Sequence, residues 1–381
     1  MKFLIDRNEL ILSISTVEKF VPSKSTVSIL SGIKFFACNN SLYLSATDLD
    51  MGIEYKIENT PEKLSVIEEG NIVIGSKILS EIVRRIPQGM VEFTRKENQV
   101  HISSGEFNMV LPCFNADDFP EISKMELFKT IRLKQRMFKD MIKQTVFARA
   151  DDTTSRPQLT GILIDYKENV FNMVALDGFR IAWRYEELEE EESSDTGDFK
   201  IIVPGNTLLE ITRIFSDDDE TYFKLYAGKN RVEFVTENIL ISSRVLDGNF
   251  IDYKKVMEVE PKTTISISTE DLHSAVDRAN ILAREGNKNN LVKFNIEDNF
   301  IEVQTETELG SISDKVLCNI EGEELVIAFN ARFFIDALRT ISSPQIKMNF
   351  SGDMGPCIIT PLETDNHKNF ILPVKLRGDS I

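Results

Sequence analysis

One short pattern returns six times along this chain. An alternating or apolar strand runs directly into an amphipathic helix at residues 3–20, and the same step recurs at 72–86, 131–149, 201–215, 265–284 and 325–341. Large apolar residues anchor the helices: Leu10, Phe138 and Leu272 in the first, third and fifth copies, and Leu79, Leu208 and Phe333 in the others. Within each series the spacing is about 130 residues, far beyond a solenoid period and close to one ordinary domain. The pattern predicts three similar domains in tandem, each with two similar halves, over residues 1–125, 127–257 and 258–381. Six equivalent units suit a symmetric scaffold better than a single catalytic cleft.

Strand signals fill the space between the helices. They fall at 33–37, 42–46, 52–57, 91–94, 100–103 and 107–111 in the first domain. The second domain has them at 161–165, 171–175, 180–185, 222–226, 231–236 and 239–245, and the third at 291–296, 300–305, 310–316, 345–350, 357–360 and 369–374. Many strands with two helices per domain predict an α+β class rather than a parallel sheet. Asp118-Phe119-Pro120-Glu121 closes the first domain, and Gly248-Asn249-Phe250-Ile251-Asp252-Tyr253 closes the second at the matching place. Two acidic runs, 186–195 and 217–220, lie between strand and helix signals and read as solvated loops.

The 381 residues carry a net charge of −17, which argues against a simple basic nucleic-acid binder and against adhesion to an anionic membrane. That charge is segregated. The six helical segments (8–20, 76–86, 134–149, 205–215, 270–284 and 330–341) together carry +5, leaving −22 on everything else. The third is the most basic, with Lys134, Arg136, Lys139, Lys143 and Arg149. Any one helix alone reads more readily as an ordinary solvated face, and it is the asymmetry across the set that tips the balance the other way. Helices sharing one surface would attract phosphates there while the acidic remainder repels them elsewhere. No base-reading motif accompanies them, so the binding implied is sequence-blind.

Four dispersed cysteines (Cys38, Cys113, Cys318, Cys357) without Cys-x-x-Cys spacing predict reduced thiols in a cytoplasmic protein. The amino terminus predicts no secretory leader, and no apolar run reaches membrane-spanning length. Enzyme signatures are sparse. The three histidines, His101, His273 and His367, lack metal-ligand spacing and read as surface or packing residues. There is no phosphate loop and no nucleophile turn, and no cofactor is implied. Asp48 and Asp50 form a close carboxylate pair that a metal-dependent nuclease could use, with no third acidic partner nearby in sequence.

Two segments are unusually apolar for their position. In Leu176-Asp177-Gly178-Phe179-Arg180-Ile181-Ala182-Trp183, a strong Asp-Gly turn is crowded by large side chains. The tail Phe370-Ile371-Leu372-Pro373-Val374 is an apolar strand blocked by proline, either an edge or one wall of a groove.

Over its whole length the chain resembles the bacterial β sliding clamps, the β subunits of DNA polymerase III. The resemblance rests on Thr47-Asp48-Leu49-Asp50-Met51, Asp118-Phe119-Pro120, Ala175-Leu176-Asp177-Gly178-Phe179-Arg180, Val245-Leu246-Asp247-Gly248-Asn249-Phe250 and Ile371-Leu372-Pro373-Val374-Lys375. It implies a head-to-tail homodimer closed into a ring of six clamp domains, helices inside and sheets outside, encircling double-stranded DNA without sequence specificity. Such a ring tethers the replicative polymerase, and it also binds the clamp loader and other proteins that carry a clamp-binding peptide.

The resemblance also carries site residues. The implied peptide groove comprises Arg156, Leu159, Leu176, Gly178, Phe179, Arg180, Ile181, Ile251, Lys255, Val256, Asn330, Phe333, Met354, Phe370, Ile371, Leu372, Pro373 and Val374. Lys24, Lys77, Arg149, Arg284 and Lys288 match DNA-facing positions and join Lys134, Arg136, Lys139 and Lys143 from the charge reading. Phe107 and Met109 of one copy are implied to meet Ile281 and Leu282 of the other. Ile251, Leu176 and Phe179 stand where proline, threonine and histidine are common in the family, and Asn206 where some members are basic. Residues 378–381 run past the usual end, from where they could shield the groove.

Overall fold

The computed structural model describes residues 1–38, 40–122, 129–189, 197–286 and 290–375. Each strand-to-helix step is literal: the last strand residue is the residue before the helix. Strand Lys2–Asp6 enters helix α1 (Arg7–Val17), and the Asp6 carboxylate caps it by accepting from the backbone N–H of Asn8 and Glu9 at 2.8 and 3.2 Å. Helix α2 (Ser76–Val83), α3 (Gln135–Lys143) and α4 (Gly205–Thr212) follow strands in the same way. A short helix, α5 (Tyr253–Met257), precedes α6 (Thr269–Gly286) and α7 (Ala331–Leu338), the last capped by Asn330.

The fourth residue of each repeat helix is its anchor. Leu10, Leu79, Phe138, Leu208, Leu272 and Phe334 are all fully buried. The sixth anchor is therefore Phe334 and not Phe333, as the sequence pattern suggested. Two adjacent phenylalanines give the same periodicity signal, and only the helix start at Ala331 separates them. Phe334 sits edge-on to Phe294 and Phe329, each 4.9 Å away, while Phe333 stays partly exposed.

The chain packs as two compact units. The first contains the described residues of Met1–Arg136 and Arg213–Val245; the second contains those of 137–191, Gly197–Thr212 and 246–381. The sequence-defined middle domain contributes to both. In the first unit, thirteen strands form one antiparallel sheet in which Ile239–Arg244 pairs with Met51–Glu58. In the second, twelve strands form another, in which Arg180–Glu187 pairs with His367–Ile371. These two ladders join strands from different sequence repeats.

Several details depart from the sequence reading. The helix expected over 134–149 ends at Lys143 and resumes as a single tight turn, Val146–Ala148. Helix α5 was not anticipated, because five residues are too few for a periodic signal. The last strand stops at Ile371 rather than 374. Pro373 cannot donate, yet the Leu372 and Val374 N–H groups still reach the carbonyls of Phe179 (2.9 Å) and Ala328 (2.8 Å).

Asp48 serves the backbone. Its carboxylate accepts from the N–H of Asp50 (2.9 Å) and Met51 (2.8 Å), closing a turn in which Leu49 has φ +82°. Asp177 does the same for Phe179 (2.9 Å) and Arg180 (3.1 Å), with Gly178 at φ +98°. The two turns are equivalent parts of successive repeats, and Asp50 pairs with Arg244 at 3.3 Å. Among the described residues no cluster of three metal-ligating side chains forms.

Candidate functional site

The second unit brings most of the groove residues together. The turn at Asp177-Gly178 fixes Phe179, whose carbonyl accepts from Leu372, so its backbone is held on both sides. Its ring is nevertheless 63% exposed and stacks on Phe333 at 6.4 Å and 24°. Leu372, Met354 and Ile251 are exposed apolar residues of the same unit, at 37%, 60% and 42%. Leu159, Leu176, Ile181 and Phe370 are buried in one apolar cluster with Tyr253, against which Val256 packs. A buried apolar cluster and large exposed apolar side chains thus occur in the same unit, the two ingredients by which peptide grooves hold apolar anchors.

Other positions take different roles. Ile371 is 1% exposed and packs into the core around α6 and α7, because the alternation of its strand turns it away from Phe370. Arg180 is 8% exposed. It bridges Asp177 (3.0 Å) and Asp336 (2.7 Å), donates to the Phe147 carbonyl (2.7 Å), and lies 4.6 Å from the Phe333 ring centre. It positions the Phe179–Phe333 pair from beneath. Arg156 is exposed, with its carbonyl bonded to Leu159 N–H, and Lys255 is exposed beside Asp252 at 3.1 Å. Asn330 spends its side chain on the α7 cap. Pro373 and Val374 are half-buried, and Gly178 is exposed.

Asp336, Phe147 and Tyr253 escaped the sequence reading. Arg180 and Asp336 lie 156 residues apart, and no local spacing links them. Tyr253 carries a hint, since it ends the segment that closes the second domain. Its hydroxyl donates to Asp165 at 3.0 Å, and burial, then the Asp165 charge, pushes the phenol far above its usual range.

The DNA-facing set is uneven. In the first unit, Lys24 and Lys77 are exposed, Lys134 lies 5.9 Å from the Tyr222 ring centre, and Arg136 pairs with Asp219 at 2.7 Å. In the second, Lys143 lies 3.6 Å from Asp140 and Arg284 pairs with Glu285 at 3.1 Å. Arg149 is committed to Asp152 and Asn206, both at 3.0 Å. Lys139 leaves the set. It is 5% exposed, because it falls beside Phe138 and one helical turn before Ile142 on the buried side of α3. Lys288 and residues 378–381 lie outside the described residues. Phe107, Met109 and Leu282 are half-buried, and Ile281 is 60% exposed.

His367 is a core residue, 3% exposed, in the strand that pairs with Arg180–Glu187. Burial, then the Arg184 charge, lowers its pKa to about 4. The unfolded chain takes up this proton below about 6.5 whereas the folded chain resists it down to about 4, so stability is full above that window and falls as pH drops through it. The loss is on the order of 3 kcal/mol. Urea titrations should show the difference between the native protein and His367→Gln shrinking from pH 7 to pH 4; a constant difference would contradict this account.

Comparison with known proteins agrees with this architecture. The models for the N-terminal, central and C-terminal domains of the DNA polymerase III beta subunit match residues 1–123, 132–252 and 254–375. The chain is 32% identical to the beta sliding clamps of Bacillus subtilis and Halalkalibacterium halodurans, over 98% of its own length and all of theirs. The crystal structure of the Bacillus subtilis DNA polymerase sliding clamp superposes with a TM-score of 0.94 at 31% identity, covering 99% of this chain and 100% of that one. A DNA polymerase III beta subunit from Thermotoga maritima gives 0.89 at 28% identity over 99% of this chain and 100% of that one. With all three domain models matched in order, this chain belongs to the DNA polymerase III β subunit, or β sliding clamp, family.

Proposed function

We propose that this chain is a DNA sliding clamp whose two copies close head to tail into a ring around duplex DNA, holding the replicative polymerase and other partners through the Phe179–Phe333 groove. It is a processivity factor and not an enzyme, as are the clamps it resembles. The three domains run over 1–125, 127–257 and 258–381, and the protein works on DNA in the cytoplasm. Tethering raises the polymerase's effective concentration at the primer end, which lengthens each run of synthesis without chemistry from the clamp. The comparisons give no support to a nuclease at Asp48 and Asp50, whose carboxylates already serve a turn and an ion pair.

The observation that carries the ring is a pair of open strand edges. The third strand after the first helix of each repeat opens with residues 51–55, 180–184 and 310–314, and the third after the second helix with 107–111, 239–243 and 367–371, so the members of each set are equivalent. In the first unit 51–55 pairs antiparallel with 239–243, Met51 opposite Ser243. In the second, 180–184 pairs with 367–371 in the same register, Arg180 opposite Ile371. That leaves 310–314 and 107–111, and among the described residues neither has a strand on its second edge. A second copy supplies the missing partner to both, and the symmetric arrangement closes. The register transfers directly: Gly310 opposite Leu111, Ser313 opposite Asn108, Asp314 opposite Phe107. Phe107 and Met109 lie on this edge, where Ile281 and Leu282 of the other copy cover them.

The register has a sharp test. Oxidising an Asn108→Cys, Ser313→Cys variant should yield a covalently closed dimer, while Asn108→Cys with Ser311→Cys, two residues out of register, should cross-link poorly. The reverse ranking would refute the proposed interface.

The groove separates two neighbouring phenylalanines. Phe333→Ala should weaken a clamp-binding peptide at least tenfold, about 1.4 kcal/mol, with little change in urea midpoint. Phe334→Ala should instead cost about 3–5 kcal/mol of stability. Unchanged peptide affinity in Phe333→Ala, measured by calorimetry, contradicts the groove assignment.

A further inference from the structure

Each repeat has a hairpin beside the end of its last strand, and the third one departs from the pattern. The hairpins at 97–98 and 228–230 end on Asn98 and Asn230, whose carbonyls accept from the N–H of Cys113 (2.9 Å) and Val245 (3.1 Å). Cys113 and Val245 lie two residues past 107–111 and 239–243, and the same place after 367–371 is held by Pro373. Proline has no N–H to give, so the third hairpin is not tied down in this way. It is also longer, spanning 351–356 between Gln345–Phe350 and Cys357–Pro361. Its last carbonyl, that of Pro356, instead accepts from the N–H of Ser351 within the hairpin at 3.4 Å.

The added length carries Met354. Gly352, at φ +118°, and Gly355 flank it, and the Gly355 N–H reaches the Gly352 carbonyl at 3.3 Å. A side chain at Gly355 would collide with Ser351 Oγ, so the turn depends on glycine there. Strand register places this turn. Cys357 is opposite Ile371, and Ile371 is opposite Arg180. One step further along these antiparallel strands come Pro356, Leu372 and Phe179, with the Leu372 N–H on the Phe179 carbonyl at 2.9 Å. The hairpin therefore projects from the end of the ladder where Phe179 and Leu372 stand. Met354, 60% exposed, adds a large apolar side chain to that end.

Among the described residues Met354 is the one exposed methionine; the others are buried or half-buried. The thiols are poor competitors for an oxidant. Burial raises the Cys113, Cys318 and Cys357 thiols above their usual range, Cys318 to about 11. Burial and the charges of Glu69 and Glu54 raise Cys38. A thiol must ionise before it reacts, whereas a thioether reacts as it stands.

We propose that Met354 is a modification site through which peroxide weakens the hold of the Phe179–Phe333 groove on partner peptides. This inference rests on the groove reading. The thioether sulfur attacks one oxygen of hydrogen peroxide, the O–O bond breaks, and the other oxygen leaves as water with both protons. Sulfur is oxidised by two electrons to the sulfoxide, and the peroxide is reduced. The S=O group brings a strong hydrogen-bond acceptor to a rim of exposed apolar side chains. Seating a leucine or phenylalanine of the peptide against it strips water from that acceptor without replacing the hydrogen bond.

The full-length protein would be treated with graded hydrogen peroxide, quenched with catalase, and titrated with a labelled clamp-binding peptide that contains no methionine or cysteine. Peptide mapping would give the sulfoxide fraction at each methionine. Affinity should fall about fivefold as Met354 converts, and methionine sulfoxide reductases A and B together should restore it. Met354→Leu, whatever its own affinity, should bind the peptide equally before and after the same dose. Unchanged affinity at full conversion of Met354 overturns the proposal. So does an equal loss in Met354→Leu, which would place the damage elsewhere. The groove itself is judged separately, by peptide binding to untreated Phe333→Ala.

Discussion

An unpaired strand edge is the constraint on which this architecture depends. Backbone N–H and C=O groups must be bonded, and a long exposed edge invites another strand. The chain answers this twice internally, with 51–55 against 239–243 and 180–184 against 367–371 in one shared register. In the ring proposed above, the same geometry is repeated a third time between copies and closes the edges at 107–111 and 310–314. Repetition thus turns a liability of open sheets into a rule of assembly. The turns that lead into these ladders share one construction. Asp48 and Asp177 hold the backbone of the residues that follow, one with Leu49 and one with Gly178 in the left-handed region.

Much of the fold was legible in the sequence because it rests on short-range periodicity. Strand alternation passing into helical spacing, six times over, gave the α+β class and the repeat. What escaped was either too short or too distant. Helix α5 spans five residues, and Arg180 meets Asp336 across 156 positions. The anchor of the sixth helix was misplaced by one residue, since Phe333 and Phe334 satisfy the pattern equally. Phe334 holds the core, whereas the partly exposed Phe333 stacks on Phe179, the pair on which the proposed groove rests. The site residues supplied by family likeness include buried apolar residues, exposed apolar residues, and others spent on ion pairs or a helix cap, and sequence alone did not separate them.

The charge reading was coarser than the structure. A net basic set of helices does not make every cation available, because Lys139 is buried and Arg149 and Arg136 are engaged by neighbouring side chains. Exposed cations such as Lys24 and Lys77 remain. Few free charges imply weak, salt-sensitive contact with phosphates. Such contact suits a protein retained by closure around DNA, since tight phosphate contacts would impede sliding. The acidic remainder of the chain disfavours DNA on other surfaces.

The most direct test of this account is retention on nicked circular DNA after loading by the matching clamp loader, followed by cutting the circle with a restriction enzyme. A ring held by topology stays with the circle through gel filtration at moderate salt and is lost once the DNA is linear with free ends. Protein that remains on the linear product to the same extent would be gripping DNA by direct contacts, and the closed-ring account would be wrong.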